Sequence, residues 1–253
     1  MQRESKEYID CINILNEELI PAMGCTEPIA VAYCAASARE LLGEIPDKVI
    51  VEASGNIIKN VKSVIVPNTG HLKGLQVAAA AGIIAGDASK KLQVISSVSK
   101  QQIEAIKDYT QKTDIEVKHF NSELIFDIQI TVYKDTQYAK CRIANHHTNI
   151  VLREKDGEVI EQSDINSTSS TKLTDREFLN CSVIYDFVES LDIEDIRDVI
   201  GRQIEFNMAI AAEGIQGNYG ANIGSTILKE NEALNKINDK AVVKQRAKAM
   251  AAA

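Results

Sequence analysis

The chain has 253 residues, 45% hydrophobic and 25% charged, so it is long and apolar enough to bury one large core or two smaller ones. Its 36 acidic side chains outnumber 28 basic ones, and the net charge of -8 argues against a nucleic-acid or anionic-membrane surface. The first ten residues lack an apolar signal core, and no stretch reaches the ~20 apolar residues of a membrane span. We therefore predict a cytoplasmic protein whose partner is a small molecule or another protein.

Five cysteines are spread along the chain without any Cys-x-x-Cys pair. An odd number at wide spacing predicts neither a disulfide framework nor a zinc knuckle. They are Cys11, Cys25, Cys34, Cys141 and Cys181.

The first two elements are predicted to be helices. Apolar residues recur at helical spacing from about Ser5 to Ile20, and Pro21 ends that helix. A second helix begins near Thr26 and ends at Leu42, with Gly43 as its stop. No charged side chain occurs between Pro28 and Ala38, so this helix is expected to be buried on every side.

The middle of the chain changes from helical to alternating periodicity. Strands are predicted in "KVIVEAS" and "SVIVPNTG", followed by a small-residue helix in "LKGLQVAAAAGIIAG" and a longer helix from about Lys90 to Tyr109. Apolar residues then alternate in "ELIFDIQITVYK" and "YAKCRIAN", and Asp156-Gly157 is a hairpin signal. These patterns predict an antiparallel meander from about Ile115 to Gln162.

The last third of the sequence is predicted to be helical again. The polar stretch "QSDINSTSSTKLTD" indicates a loop, and Thr174 with Glu177 forms a capping-box pattern that opens a helix. A further helix is expected between Asp192 and Gly214, and helical segments flank "GIQGNYGANIG".

This order predicts an α+β fold in which a mainly helical domain is interrupted by an insertion containing an antiparallel β-meander and helices. The predicted division is a helical segment 1–45, an α+β insertion 46–165 and a helical segment 166–253 that packs with 1–45.

Chemistry-bearing residues first occur in "PAMGCTEPIAVAYCA". Cys25 precedes a helix N-terminus, where backbone N–H groups stabilise a thiolate, and such placement can lower a cysteine pKa from about 8.5 to ~3.5–7.5. A buried structural cysteine is the alternative and is favoured by spacing alone. Glu27 is a candidate general acid or base, or else a partner of the helix dipole.

Two further segments are candidates for substrate binding. The turn "PNTG" contains Asn68, Thr69 and Gly70 ahead of an apolar helix, and its N–H groups could hold a carboxylate; an ordinary helix cap is the alternative. In "NHHTN", His147 is a candidate catalytic residue and Asn149 a candidate substrate-binding residue. The two could share one face of a strand, because adjacent residues point to opposite faces. A half-exposed strand end is equally consistent with that pattern.

Taken together, "PAMGCTEPIAVA", "VPNTG", "HHTNIV" and "EGIQGNYGANIGSTI" resemble the N-terminal part of the iron-sulfur L-serine dehydratase (alpha chain) and L-cysteine desulfidase family. The resemblance implies a PLP-independent α,β-elimination that converts an amino-acid substrate to pyruvate and ammonia. It also implies a 4Fe-4S cluster that is held by three cysteines and leaves one iron open as a Lewis acid. Cys25 resembles one of those cysteines.

The resemblance further implies that the remaining cluster cysteines lie beyond the sequence end "KQRAKAMAAA". On this expectation the chain is truncated, lacks a cluster by itself and is inactive alone. Its partner would be a complementary C-terminal fragment or a second copy in a homo-oligomer. Two alternatives are a thiol enzyme that uses Cys25 with a histidine such as His147, and a non-catalytic assembly module or half of a split enzyme.

Overall fold

The computed structural model describes residues 1–163, 165, 174–217 and 222–233, in which helices at both ends flank a strand-rich middle. The helices are α1 (Lys6–Glu18), α2 (Thr26–Leu42), α3 (Gly55–Val61), α4 (Leu75–Ala85), α5 (Lys100–Lys112), α6 (Cys181–Ser190), α7 (Ile193–Gln216) and α8 (Ile223–Ala233). The strands are β1 (Lys48–Ala53), β2 (Asp114–His119), β3 (Asp127–Lys134), β4 (Gln137–Ala144), β5 (Ile150–Lys155) and β6 (Glu158–Gln162). This content confirms the predicted α+β fold class.

The described chain separates into two units. The helical unit combines residues 1–20 with the described residues from 174 onward, and the sheet unit contains the described residues between 21 and 165. The division between the first two segments thus falls at residue 20, whereas the sequence pattern predicted residue 45. The reason is α2, whose apolar side chains pack against the sheet and α4.

The sheet unit is built on six strands in the order β2-β1-β3-β4-β5-β6. Strands β3 to β6 form the predicted antiparallel meander, but β2 pairs with β1 in parallel and lies at the opposite edge. Alternate residues of β1, β3 and β4 are buried in register, for example Val51 opposite Ile130 and Ile130 opposite Cys141. This apolar face of the sheet receives α2.

Helices α2 and α4 approach each other closely because small residues line their contact. A Cβ atom built on Gly82 would lie 2.0 Å from the backbone oxygen of Ala32, which is far inside van der Waals contact. The neighbouring side chains are alanines, and Ala78 to Ala81 are fully buried. The Ala- and Gly-rich sequence of α4 is therefore a requirement of backbone-to-backbone packing rather than of helix propensity.

Gly82→Ala is expected to destabilise the sheet unit by about 3 kcal/mol, the upper part of the usual range for overpacking, because α2 and α4 must move apart. The matched control is Gly55→Ala, since a Cβ there would lie 3.5 Å from the His119 ring, which is ordinary contact. Urea denaturation of both variants gives the free energies of unfolding. Equal stability of the two variants would contradict the predicted close approach.

The helical unit has a small core in which α1 packs against α6 and α7. Tyr8 is buried, and its ring makes an edge contact with Phe187 at 5.3 Å between centroids. The Tyr8 hydroxyl donates to Asp195 at 2.7 Å and accepts the backbone N–H of Asp192 at 3.1 Å. Arg3 pairs with both carboxylates. These contacts fix the start of α7 on α1.

Three sequence predictions of secondary structure are wrong. "SVIVPNTG" is not a strand, because the chain turns back at once: Ile65 forms an isolated bridge with Lys73, and the Val66 N–H donates to the Leu72 carbonyl. Helix α3, which the sequence pattern did not predict, precedes it. The helix expected from Lys90 to Tyr109 is a 3-10 segment (Ala88–Gln93) followed by α5, since a capping box at Ser99 starts a new helix.

The capping box predicted at Thr174 and Glu177 is also absent, because α6 begins later, with Asn180 as its cap. Thr174 instead donates through its backbone N–H and its hydroxyl to Glu17, at 2.8 and 2.7 Å. The predicted Ser/Thr-rich loop and the turn "GNYG" lie largely outside the described residues.

Candidate functional site

Cys25 is the N-cap residue of α2, and its thiol is exposed. The side chain does not cap the helix. Its Sγ donates instead to Oε2 of Glu27 at 3.1 Å. The preceding Gly24 has a φ of 101°, a left-handed value that favours glycine, and its position lies against Pro67 of the "PNTG" turn. The local backbone therefore presents the thiol to solvent beside a second loop.

The pKa of the Cys25 thiol is raised above its ordinary value, mainly by partial burial and then by the hydrogen bond to Glu27. This is opposite to the lowered pKa that helix position alone predicted, because partial burial disfavours the charged thiolate and the Glu27 carboxylate then opposes a second negative charge two residues away. At neutral pH Cys25 is therefore a protonated thiol. A cation that binds it would displace the proton and pair with the thiolate.

Glu27 joins Cys25 to α3. Its Oε2 accepts the hydrogen bond from the Cys25 thiol, and its Oε1 accepts a hydrogen bond from Nδ2 of Asn60 at 3.4 Å. The pKa of Glu27 is lowered, chiefly by the hydrogen bond from Cys25, so the carboxylate is charged at neutral pH. Asn60 was not foreseen, because the seven-residue helix that carries it was missed. Its Ile57, Ile58 and Val61 spacing was the available signal.

His147 lies in the turn between β4 and β5 and is half-buried against the ring of Phe126, with 4.5 Å between centroids. Burial lowers its pKa, while the charge of Glu27 acts in the opposite direction. The imidazole is therefore neutral at neutral pH, and its pKa depends on the charge of the Glu27 carboxylate. His146, the adjacent histidine, is exposed. The structure thus places Glu27 in contact with both Cys25 and Asn60, and the charge of Glu27 acts on the pKa of His147.

The predicted substrate-binding residues of the "PNTG" turn hold the turn itself. The Thr69 hydroxyl is fully buried and donates to the carbonyl of Val66 at 2.8 Å. The Asn68 amide donates to the carbonyl of Ile95 at 3.1 Å. Asn68 and Gly70 both have positive φ, which gives the turn its shape. Contact with a ligand would therefore come from the turn's backbone rather than from the Thr69 hydroxyl.

Asn149 has a similar supporting position in the second turn. It is buried, and its amide nitrogen donates to the carbonyl of Ala144 at 3.0 Å. Its backbone also bonds to Ala144 and His146. Asn149 therefore fixes the turn that carries His147.

Glu27→Gln is expected to lower the pKa of Cys25, because the substitution removes the negative charge that opposes thiolate formation. The measurement is the pH dependence of iodoacetamide alkylation in a Cys181→Ala background, where Cys25 is the exposed cysteine that remains among the described residues. Glu44→Gln, at an exposed position after α2, is the control and should leave the titration unchanged. A thiol pKa unaffected by Glu27→Gln would contradict the interaction.

Within the described ranges, no group of three or more His, Cys, Asp and Glu side chains is placed to hold a metal ion. In the same part of the chain, none of the helices has the length and apolar character that crossing a membrane requires.

Comparisons with known proteins found relatives by sequence. The chain is 52% identical, over its whole length, to a UPF0597 protein of Desulfitobacterium hafniense, and it covers 57% of that protein. It is 39% identical over 233 residues to a UPF0597 protein of Treponema denticola, which matches 92% of this chain and 54% of that protein. A UPF0597 protein of Lachnoclostridium phytofermentans is 42% identical over 221 residues, with 87% of this chain and 53% of that protein covered.

The chain therefore spans about half the length of the curated relatives it matches. No protein-family profile matches the chain. No solved structure matches it either.

Proposed function

We propose that this chain is part of a PLP-independent lyase that deaminates L-serine or desulfurates L-cysteine to pyruvate and ammonia, with Cys25 as one thiolate ligand of a 4Fe-4S cluster. The observation that carries the proposal is the exposed Cys25 thiol 3.1 Å from the Glu27 carboxylate, at the start of a buried helix. The resemblance of the "GCTEP" block and the later segments to iron-sulfur dehydratases supplies the reaction class.

A cluster of this kind requires three thiolates around one site. In the sheet unit Cys34 and Cys141 are fully buried between α2 and the sheet, with the Cys34 thiol donating to the Cys141 carbonyl at 3.2 Å. Cys25 is the exposed cysteine of that unit. The sheet unit therefore offers one exposed thiol, and the proposal takes the other two thiolates from outside the described residues, as the resemblance implies.

When bound, the cluster would supply a Lewis acid for the β-hydroxyl or β-thiol leaving group. The proton chemistry belongs to this chain's own residues. A neutral His147 is a competent base for the α-proton of the amino acid, because burial keeps its pKa below the ordinary value. The charge of the Glu27 carboxylate favours the imidazolium that results, since it acts to raise the pKa of His147.

The reaction balances without an external oxidant or reductant. The α-carbon loses its proton to His147, and that electron pair forms the Cα–Cβ double bond while the β-substituent departs with the bonding electrons. Serine releases water and cysteine releases hydrogen sulfide once the departing group is protonated. The remaining enamine tautomerises to an imine, and one water hydrolyses it to pyruvate and ammonia.

A thiol enzyme is the second candidate, because Cys25 lies next to a potential acid-base group. Its electrostatics are less favourable. A cysteine nucleophile requires a lowered thiol pKa, whereas the Glu27 carboxylate contributes to raising it. A cationic ligand at the sulfur would overcome this effect, and the cluster assignment is preferred for that reason.

Anaerobic reconstitution with iron and sulfide tests the proposal. The chain alone is compared with the chain completed by the region of the Desulfitobacterium protein that lies outside the match. The completed protein is expected to bind iron and form pyruvate from L-serine or L-cysteine, and the chain alone to do neither. An oxygen-tolerant, iron-free activity that alkylation abolishes would support the thiol enzyme. A cluster-loaded protein that produces pyruvate from neither amino acid would contradict the lyase assignment.

A further inference from the structure

The middle of α7 exposes large apolar side chains to solvent. Every residue from 201 to 210 is exposed, a run of almost three helical turns. Within it Ile204 is 58% exposed, Phe206 45%, Met208 46% and Ile210 67%. We refer to these four side chains as the α7 double stripe. Soluble proteins seldom expose so many large apolar residues together unless the surface binds a partner.

The four side chains lie on two faces of the helix. At 100° per residue Ile204 and Met208 are 40° apart, and Phe206 and Ile210 form a second pair about 200° around from Ile204. One partner helix covers one such face. A helix with apolar residues on opposite sides is typical of an element that is inserted between two others.

The charges around the double stripe also point to the chemistry of the partner. Asp198 and Glu205 are exposed and lie close together around the helix, between the two apolar faces. The basic side chains of this region are already engaged, since Arg197 pairs with Glu194 and Arg202 donates to the carbonyl of Leu19. A partner that surrounds α7 would therefore present aliphatic side chains with basic residues at the rim.

We propose that the α7 double stripe is the docking surface for helices from the part of the longer relatives that this chain does not match. The chain covers 57% of the Desulfitobacterium protein, so a large share of that relative lies outside the match. A second copy of this chain is a poorer fit, because a symmetric interface would bring two sets of the same acidic residues together. The proposal concerns assembly, and it does not depend on which reaction takes place at Cys25.

Co-expression of the tagged chain with the unmatched region of the Desulfitobacterium protein tests this proposal. Because both are made in the same cell, each can fold on the other. A stable 1:1 complex is expected by light scattering. The double variant Ile204→Ser/Ile210→Ser, which removes one anchor from each face, should weaken the complex at least about 100-fold in Kd.

Ile125→Ser is the matched control, because Ile125 is 76% exposed in the sheet unit, and binding should be unchanged. Circular dichroism checks that the variants retain the helix. If the double variant loses helix content, Glu205→Lys is tested in its place. This single variant is expected to weaken binding about tenfold, with less weakening at high salt. The proposal is overturned if no complex forms, or if Ile125→Ser weakens the complex as much as the α7 variants do. It is also overturned if the chain forms a homodimer through α7 while the unmatched region of the Desulfitobacterium protein is present.

Discussion

Cys25→Ala is expected to abolish iron retention by the completed protein and to lower pyruvate formation at least about a thousandfold. The size of the effect follows from the several kcal/mol of transition-state stabilisation that a Lewis acid supplies, at 1.36 kcal/mol per factor of ten. The fold should be unaffected, because the thiol is exposed, does not cap α2 and makes its hydrogen bond to Glu27 only. Iron per chain and pyruvate after anaerobic reconstitution are the two measurements.

Cys181→Ala is the matched control for this experiment, since Cys181 is also exposed and also lies at a helix start, that of α6. It should keep both iron and activity. A Cys25→Ala protein that binds as much iron as the parent would refute the role of Cys25 as a ligand. Loss of activity in a protein that never contained iron would instead favour the thiol enzyme.

The site could be located from the sequence, but its electrostatics could not. The helix start after Pro21 correctly placed Cys25 at the N-cap of α2. Helix position predicts a lowered pKa for Cys25, whereas partial burial and then the hydrogen bond to Glu27 raise it, and neither can be read from the start of a helix. A side chain two residues away faces the thiol here only because the N-cap backbone is extended, with a ψ of 119°. That conformation is a property of the folded loop.

Long-range contacts explain the other omissions at the site. Asn60 meets Glu27 across 33 residues of sequence, and His147 senses the same carboxylate from a turn of the sheet. Composition and spacing singled out the histidine but could not identify its partner. The sequence predicts Thr69 and Asn149 as substrate-binding residues from the N–H groups of the "PNTG" turn and from the strand face shared with His147. Both use side-chain donors to hold those turns.

The fold was predictable where one local signal decided the conformation. Gly43 ends α2 in the left-handed conformation that its position predicted, and the uncharged stretch of α2 is buried. Strand β2 was misplaced because alternation identifies a strand without identifying its neighbour. Its pairing with β1 is parallel and requires the intervening helices, which is tertiary information.

Arg142→Met is expected to destabilise the sheet unit by about 3–5 kcal/mol, because it leaves a buried carboxylate without its counter-charge. Asp127 is fully buried on β3, and the guanidinium of Arg142 donates to both of its carboxylate oxygens, at 2.9 and 2.6 Å. The ring of Phe120 lies 4.9 Å from the same guanidinium. Urea denaturation of the variant gives the loss in free energy of unfolding.

Lys140→Met, on the same strand, is the control and should cost about 1 kcal/mol or less. Its partner Glu154 keeps the hydrogen bond from the Tyr138 hydroxyl at 2.5 Å, so its carboxylate stays satisfied. The double variant Asp127→Leu/Arg142→Met should recover much of the loss, since it removes the buried charge as well. Equal costs for Arg142→Met and Lys140→Met would show that Asp127 is hydrated in solution.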